Sequence, residues 1–212
     1  MSRLTENLDS IAARLRSSFS TKDAAREKAL PLCREIIRCS SSAIRAIHRQ
    51  ECDWAKQLLG ETRQLLNEAE QTLGGGDITN TGYLRDAQKE FVEASITLSL
   101  VVGEPPNDPD ALGVGDAAYL NGLGEAVGEL RRYLLDSMRR GDISRGEELL
   151  LAMDDIYSVL VAMDFPDAMT GGLRCTTDMV RGVLERTRSD LTLAMRQEEL
   201  ERKLEKLGED NT

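Results

Sequence analysis

Cysteine and histidine, the residue types behind many metal, redox and nucleophile sites, are scarce in this 212-residue chain. The four cysteines are Cys33, Cys39, Cys52 and Cys175, and they form neither a CxxC pair nor a regular framework. We therefore expect reduced thiols rather than a set of disulfides. Cys33 and Cys39 could form a zinc site with the single histidine, His48, by residue type alone. Their spacing, however, matches no zinc finger or ribbon.

Long apolar runs and a visible signal peptide are also missing. No stretch approaches the ~20 apolar residues that a membrane span needs. We therefore expect a cytoplasmic protein with no membrane partner. Aromatic residues make up only 4% of the chain, whereas Leu, Ala, Glu and Arg are abundant. This composition favours helices.

Positive charge is in deficit, because the formal net charge is −10. Such a chain does not have a surface coated for non-specific nucleic-acid binding. A local basic lining is still compatible with that balance. The chain holds 21 arginines but only 6 lysines. Arginine suits phosphate or carboxylate groups better than lysine does, because its planar guanidinium can donate two parallel hydrogen bonds to one group.

Helical periodicity runs along most of the chain, and no segment alternates with period two for long enough to predict a strand. Leu4, Leu8, Ile11 and Leu15 predict a first helix. A second, capped at Ser20 or Thr21, runs to about Arg49 with a kink or a break at Pro31. Further helices are predicted over residues 53–73, 79–103, 116–140 and 172–207. Another, capped by Asp142 or Ser144, is predicted to run to Met163 and stop at Asp164. The pattern predicts an all-α, single-domain bundle of six or seven helices over residues 1–207, with a flexible tail at 208–212.

The helix predicted over residues 79–103 carries a long apolar seam with an acidic pair, Glu90 and Glu93, beside it. Its apolar ladder consists of Leu84, Ala87, Phe91, Ala94, Leu98 and Val101, the spacing of a packed seam. Glu90 and Glu93 lie about 60° apart around the helix axis, so both can point to one place beside the seam.

The helix predicted over residues 116–140 carries a matching pair, Glu125 and Glu129. Gly122, Gly124 and Gly128 surround that pair, although each glycine costs a helix interior about 1 kcal/mol relative to alanine. Small residues let a neighbouring helix approach closely, which would bring the two acidic pairs together. Four converging carboxylates suit a hard cation, Mg²⁺ or Mn²⁺. The alternative, left open by spacing alone, is four ordinary exposed glutamates in a chain with 37 acidic residues.

Several longer segments resemble one protein family. "KEFVEA", "YLNGLGEAVGELRR" followed by "GDISR", "REIIRCSSSAIRAIHR" and "GLRCTTDMVRGVLERTRSDL" together look like the translin family, in the same order and over most of the chain. The resemblance implies a seven-helix protomer that assembles into a hollow homo-oligomer, a hexamer or octamer, and handles single-stranded RNA or single-stranded DNA. Its X-type members are Mg²⁺-dependent endoribonucleases, whereas translin itself binds nucleic acid.

The match is closest to the catalytic X-type members. The resemblance places their catalytic, metal-binding acids on Glu90, Glu93, Glu125 and Glu129. Glu90 and Glu93 are the informative pair, because translin-type chains have no carboxylates there. One departure concerns Glu125, where the X-type motif has aspartate. The extra methylene keeps the charge but changes the reach of this ligand.

Basic residues near these segments are candidates for binding the RNA backbone. They are Arg45, His48, Arg49, Arg85, Lys89, Arg131 and Arg132. Phosphate contacts from such residues would give sequence-independent affinity. For each of them, a solvated or ion-paired surface charge is the competing interpretation. The shortage of aromatic residues argues against recognition by base stacking.

Three functions are therefore compared. The first is a metal-dependent endoribonuclease acting on single-stranded RNA. The second is a translin-like protein that binds single-stranded nucleic acid without cleaving it. The third is a helical scaffold whose acids form salt bridges and whose partners are proteins. The Glu90 and Glu93 pair favours the first over the second, and the glycine-flanked Glu125 and Glu129 pair disfavours the third.

Overall fold

A computed structural model describes Thr5, residues 7–74 and residues 82–209. Within this part of the chain every regular element is a helix, as the sequence predicts. The helices are α1 (Leu8–His48), α2 (Cys52–Leu73), α3 (Gly82–Val102), α4 (Pro109–Leu112), α5 (Asp116–Arg139), α6 (Gly146–Ala162), α7 (Asp167–Thr170) and α8 (Leu173–Glu209). The six long helices confirm the predicted bundle, and α4 and α7 are single turns that the sequence did not reveal. Among these helices, none combines the length and the apolar character needed to cross a membrane.

Helix α1 differs most from its prediction, because it is one continuous helix and not two. The predicted cap near Ser20 and Thr21 is wrong: the Thr21 hydroxyl donates to the Ser17 carbonyl at 3.1 Å, a bond within the helix. A break at Pro31 is also wrong. Ala29 and Cys33 on either side of the proline are buried against the bundle, and this packing outweighs the hydrogen bond that proline removes. Leu4 lies outside the described residues.

Helix ends follow the turn residues in most places. Gly74 ends α2 in the left-handed conformation, with φ 68°, where glycine carries no side-chain penalty. The predicted start of α3 near Thr79 lies outside the described residues. The predicted cap of α6 is wrong, because the Asp142 carboxylate accepts hydrogen bonds from the backbone and hydroxyl of Ser144. Helix α8 extends to Glu209, and residues 210–212 of the predicted tail lie outside the described residues.

The core forms around α3, which packs against α1, α2 and α5. Every member of its predicted ladder is at least 94% buried. Val92 and Ile96 are also fully buried on a second side of the helix, so α3 is enclosed by several neighbours. Helix α8 covers the opposite face of α5 and also contacts α6. The bundle therefore holds α3 and α5 side by side in its centre, with their acidic residues along one edge of that contact.

Candidate metal centre

Gly122 is the residue that lets α5 approach α3. A Cβ at this position would lie 2.6 Å from the Lys89 carbonyl oxygen and 2.7 Å from the Val92 Cβ. Both distances are shorter than real Cβ contacts, so any larger residue would push the helices apart. The predicted role of a glycine in close helix approach is confirmed at this position.

The other two glycines of α5 have different surroundings. A Cβ at Gly124 would meet Thr176 on α8 at 2.4 Å and Leu160 on α6 at 3.1 Å, so this glycine admits α8 and α6 and not α3. Nothing lies within 4 Å of the corresponding position at Gly128. One of the three glycines therefore brings the acidic pairs together.

Three of the four predicted acids converge. Glu90 and Glu93 of α3 and Glu125 of α5 each offer a carboxylate oxygen, and these oxygens all lie within 4.8 Å of one another. Each of the three side chains is partly buried. Three oxygens at such separations can hold one hard cation, and a set made only of oxygen suits Mg²⁺ or Mn²⁺ better than zinc.

The convergence leaves its negative charge poorly compensated. Burial, followed by the neighbouring charges of Glu90, Glu125 and Glu129, raises the pKa of Glu93 to about 8 against the opposing effect of Lys89. The pKa of Glu90 is also raised, first by burial and then by Glu125. Carboxyl groups with raised pKa values in a cluster indicate a place where a cation would be stabilised.

Lys89 supplies the nearest positive charge. Its Nζ lies 2.7 Å from Oε1 of Glu125. Burial opposes the charge of Lys89, but the hydrogen bond and the charge of Glu125, together with that of Glu90, raise its pKa overall. The sequence predicted Lys89 as a phosphate-binding residue. The structure places it on the wall of the acidic cluster, paired with one of the candidate ligands.

Glu129, the fourth predicted acid, is held by His48. Nε2 of His48 lies 2.5 Å from Oε2 of Glu129, although the two residues are 81 positions apart in the chain. The His48 side chain is only 6% exposed, and its buried Nδ1 has no hydrogen-bond partner among the described residues. Phosphate binding by His48 stays a prediction, which this burial disfavours. Sequence inspection missed the pair because nothing in the local pattern links α1 to α5.

The remaining predicted phosphate ligands are spread over the protomer. Arg45 donates to the Ser42 hydroxyl at 2.8 Å, and Arg49 forms two hydrogen bonds with Glu51. Arg131 is held by α8 through Asp190 at 2.7 Å and Thr187 at 3.1 Å. Arg132 is 57% exposed, with its Nη1 3.8 Å from Glu129.

Arg85 lies at a polar pocket that adjoins the acidic cluster. The pocket has a volume of about 190 Å³ and is lined by Arg85, Lys89, Asn121, Glu125, Gly171 and Thr176, among others. Glu125 and Lys89 belong to both features, so the pocket and the cluster share a wall. Asn121, Gly171 and Thr176 were missed from the sequence, because the contact of α5 with α7 and α8 is not visible in any local pattern.

Comparisons with known proteins agree with the all-helical fold. No protein-family model matches the chain. A curated relative, the uncharacterized protein MJ0175 of Methanocaldococcus jannaschii, is 31% identical over 175 residues, which are 82% of this chain and 78% of the relative. Two solved structures of AfC3PO, one of them a complex with duplex RNA, are 34% identical with a TM-score of 0.77 over 90% of this chain. The matched region covers 97% and 98% of the two AfC3PO chains. The apo-NeC3PO structure matches at a TM-score of 0.75 over 92% of this chain and all of that one, but at 19% identity it shows the fold alone.

Proposed function

Since the chain belongs to the translin family, which includes C3PO, we propose that it is a Mg²⁺-dependent endoribonuclease that hydrolyses single-stranded RNA. One observation carries the proposal: three carboxylate oxygens from α3 and α5 lie within 4.8 Å of one another. The fold that holds them is shared with AfC3PO, a protein solved in complex with duplex RNA. RNA is thus the substrate class that the comparison favours.

The residues present fit a hard divalent cation. Glu90, Glu93 and Glu125 would hold it through oxygen atoms alone, the ligands that Mg²⁺ and Mn²⁺ prefer. Burial and then the neighbouring carboxylates raise the pKa of Glu93 to about 8, so a cation bound at the cluster would stabilise its charged form. A bound divalent cation would neutralise charge on a phosphodiester and make water a better nucleophile.

The protein's own groups organise this site. Gly122 sets the separation of the helices that carry the ligands, and His48 fixes Glu129 at the edge of the cluster. Lys89 holds one oxygen of Glu125 and places an ammonium group between the carboxylates and the adjoining pocket. These contacts keep the acidic side chains ordered, and preorganised charged groups contribute most to stabilising a developing charge.

A non-catalytic binding protein is the second candidate function. Lys89 favours it, because an ion pair of 2.7 Å with Glu125 places a positive charge at the cluster without any metal. A protonated Glu93 would reduce the repulsion further. In that case the carboxylates would be structural, and RNA would be bound without cleavage.

Substitution of Glu93 by glutamine separates these functions. Labelled single-stranded RNA is incubated with wild type and with Glu93→Gln, in Mg²⁺ and in EDTA. We expect cleavage by the wild type in Mg²⁺ only, no cleavage by the variant, and nearly unchanged RNA affinity, because phosphate contacts come from other residues. Added Mg²⁺ should also raise the melting temperature of the wild type more than that of the variant.

The matched control is Glu68→Gln, which removes the same charge from an exposed site on α2. It should cleave RNA and respond to Mg²⁺ like the wild type. Cleavage by Glu93→Gln at the wild-type rate would contradict the proposed metal centre. Binding without cleavage in every condition would leave the second function.

A further inference from the structure

The polar pocket beside the acidic cluster is small and positively lined on one side. Its volume of about 190 Å³ is below the ~300–1,000 Å³ of pockets that enclose a drug-sized ligand. It therefore suits a phosphate with part of its sugar and excludes a whole nucleotide. Glu125 and Lys89 are shared with the cluster, so an occupant would lie next to any group bound by the carboxylates.

Arg85 is the charged side chain of this pocket whose hydrogen-bond donors are available to a ligand. Among the described residues it forms no hydrogen bond or ion pair, and its side chain is exposed. Lys89, in contrast, is paired with Glu125. An unpaired guanidinium offers up to five donors in a planar fork, the geometry that matches a phosphate.

The wall beside Arg85 is held by hydrogen bonds of Asn121. Asn121 is 93% buried. Its amide donates to the carbonyls of Ala117 and Thr170, both at 2.8 Å, and its oxygen accepts from the Thr176 hydroxyl at 2.7 Å. These bonds fix α5, α7 and the start of α8 around the pocket.

Gly171 allows the guanidinium to lie close to this wall. A Cβ at Gly171 would be 3.5 Å from Nη1 of Arg85 and 3.6 Å from Nδ2 of Asn121. The residue also has a φ of 66°, a conformation that glycine adopts without penalty. The backbone turn between α7 and α8 thus brings Arg85 over a preformed polar surface.

We propose that this pocket binds the RNA backbone phosphate that neighbours the scissile phosphodiester, with Arg85 as its anion ligand. The inference rests on the proposed function, since it takes RNA as the substrate. It deepens that function, because a phosphate and sugar subsite without an aromatic wall makes recognition independent of base sequence. Asp86 and Glu125 also line the pocket. Their charges disfavour a doubly charged terminal phosphate more than a singly charged diester.

Binding in EDTA tests the subsite without relying on cleavage. The probe is a short single-stranded RNA homopolymer with a 5′-hydroxyl, and affinity is measured by fluorescence anisotropy at several salt concentrations. We expect Arg85→Gln to bind about tenfold more weakly, the effect of one lost charge-assisted hydrogen bond. The slope of log affinity against log salt should fall by about 0.7, the value for one phosphate contact on a single strand.

A neutral linkage then identifies the phosphate. Replacing one internal phosphate at a time by methylphosphonate should weaken wild-type binding at one position, and Arg85→Gln should show no further loss there. The charge control is Arg139→Gln, at the end of α5 and 79% exposed in its side chain, which should bind like the wild type. Ala117→Glu, which adds a carboxylate to the pocket wall, should weaken binding as Arg85→Gln does.

Two results would overturn the subsite. One is equal affinity and equal salt slope for Arg85→Gln and Arg139→Gln. The other is an Arg85-dependent gain seen only with 5′-phosphorylated RNA, which would make the ligand a terminal phosphate. Neither depends on catalysis, so a protein that binds through Arg85 but never cleaves would contradict the proposed nuclease and leave the subsite intact.

Discussion

Glu93 is the residue at which the electrostatics of the cluster are most visible. Its carboxyl group lies among Glu90, Glu125 and Glu129, and burial followed by these charges raises its pKa to about 8. An unfolded chain would release this proton near the ordinary value of 4.5. Between these two pH values the folded protein binds more protons than the unfolded one, so its stability falls as the pH rises through this window.

At the residue scale we therefore predict a pH-dependent stability that glutamine removes. In EDTA, the free energy of unfolding of the wild type should decrease from pH 5 to pH 8, by up to about 1.4 kcal/mol per pH unit for one proton. Glu93→Gln should be nearly flat over this range and more stable than the wild type at pH 8. Urea denaturation at three pH values measures this. Glu68→Gln should keep the wild-type slope, and an unchanged slope in Glu93→Gln would show that Glu93 does not titrate here.

At the scale of elements, the contact of α5 with α3 decides whether the acids converge. Gly122 lies within that contact, and there is no room for a Cβ at its position. Gly128 lies almost two turns further along the same helix and faces open space. The two glycines therefore have opposite consequences for stability, although both are unfavourable residues for an isolated helix.

We predict that Gly122→Ala destabilises the fold by roughly 1–3 kcal/mol, because the added methyl group must displace the α3 backbone or Val92. Gly128→Ala should be neutral or stabilise it by up to about 1 kcal/mol through helix propensity. Denaturant unfolding measures both. Gly122→Ala should also lose thermal stabilisation by Mg²⁺, since the ligands separate. Equal stability of the two variants would contradict the close-approach role of Gly122.

At the scale of the whole molecule, two helices extend beyond the core. No residue of α1 before Ala29 is buried, and none of residues 192–207 of α8, the part whose side chains the structure describes, is buried. Both segments nevertheless carry exposed apolar residues, among them Leu8, Leu15, Phe19, Leu193, Leu200 and Leu204. Amphipathic helices are stabilised mainly by packing of their apolar face, so these segments are suited to contacts between copies of the chain.

We predict a homo-oligomer larger than a dimer, with a mass of at least three times 23.5 kDa in light scattering. The double variant Leu200→Glu and Leu204→Glu should lower that mass by placing charges on the apolar face. The control variant Gln197→Glu and Lys203→Gln changes the net charge equally at polar positions of the same helix and should not. A monomeric wild type would contradict the prediction and any account of an enclosed chamber.

Selectivity for single strands is a further prediction at this scale. The net charge of −10 repels nucleic acid from the exterior, so productive binding should require an interior basic surface that a stiff duplex reaches poorly. AfC3PO has been solved with duplex RNA, which makes the comparison informative. Cleavage of matched single- and double-stranded RNA is measured at equal salt, and the single strand should react faster. Equal rates would contradict the prediction.

The sequence by itself determined the helices and one half of the site. Periodicity predicted the buried ladder of α3, and left-handed Gly74 ended α2 where expected. Glu90 and Glu93 share a helix face through their spacing alone, and Gly122 signalled a close helix contact. These features depend on neighbours within a few residues along the chain, where backbone geometry leaves few alternatives.

Only the tertiary structure decided which partners meet across the bundle. It paired His48 with Glu129 and Arg131 with Asp190, and it placed Arg85 beside Gly171. It also determined that α1 continues past Pro31, although proline disfavours the interior of a helix. Such outcomes depend on the packing of helices that are far apart in the chain. Burial energies of several side chains then outweigh the preference of any single residue.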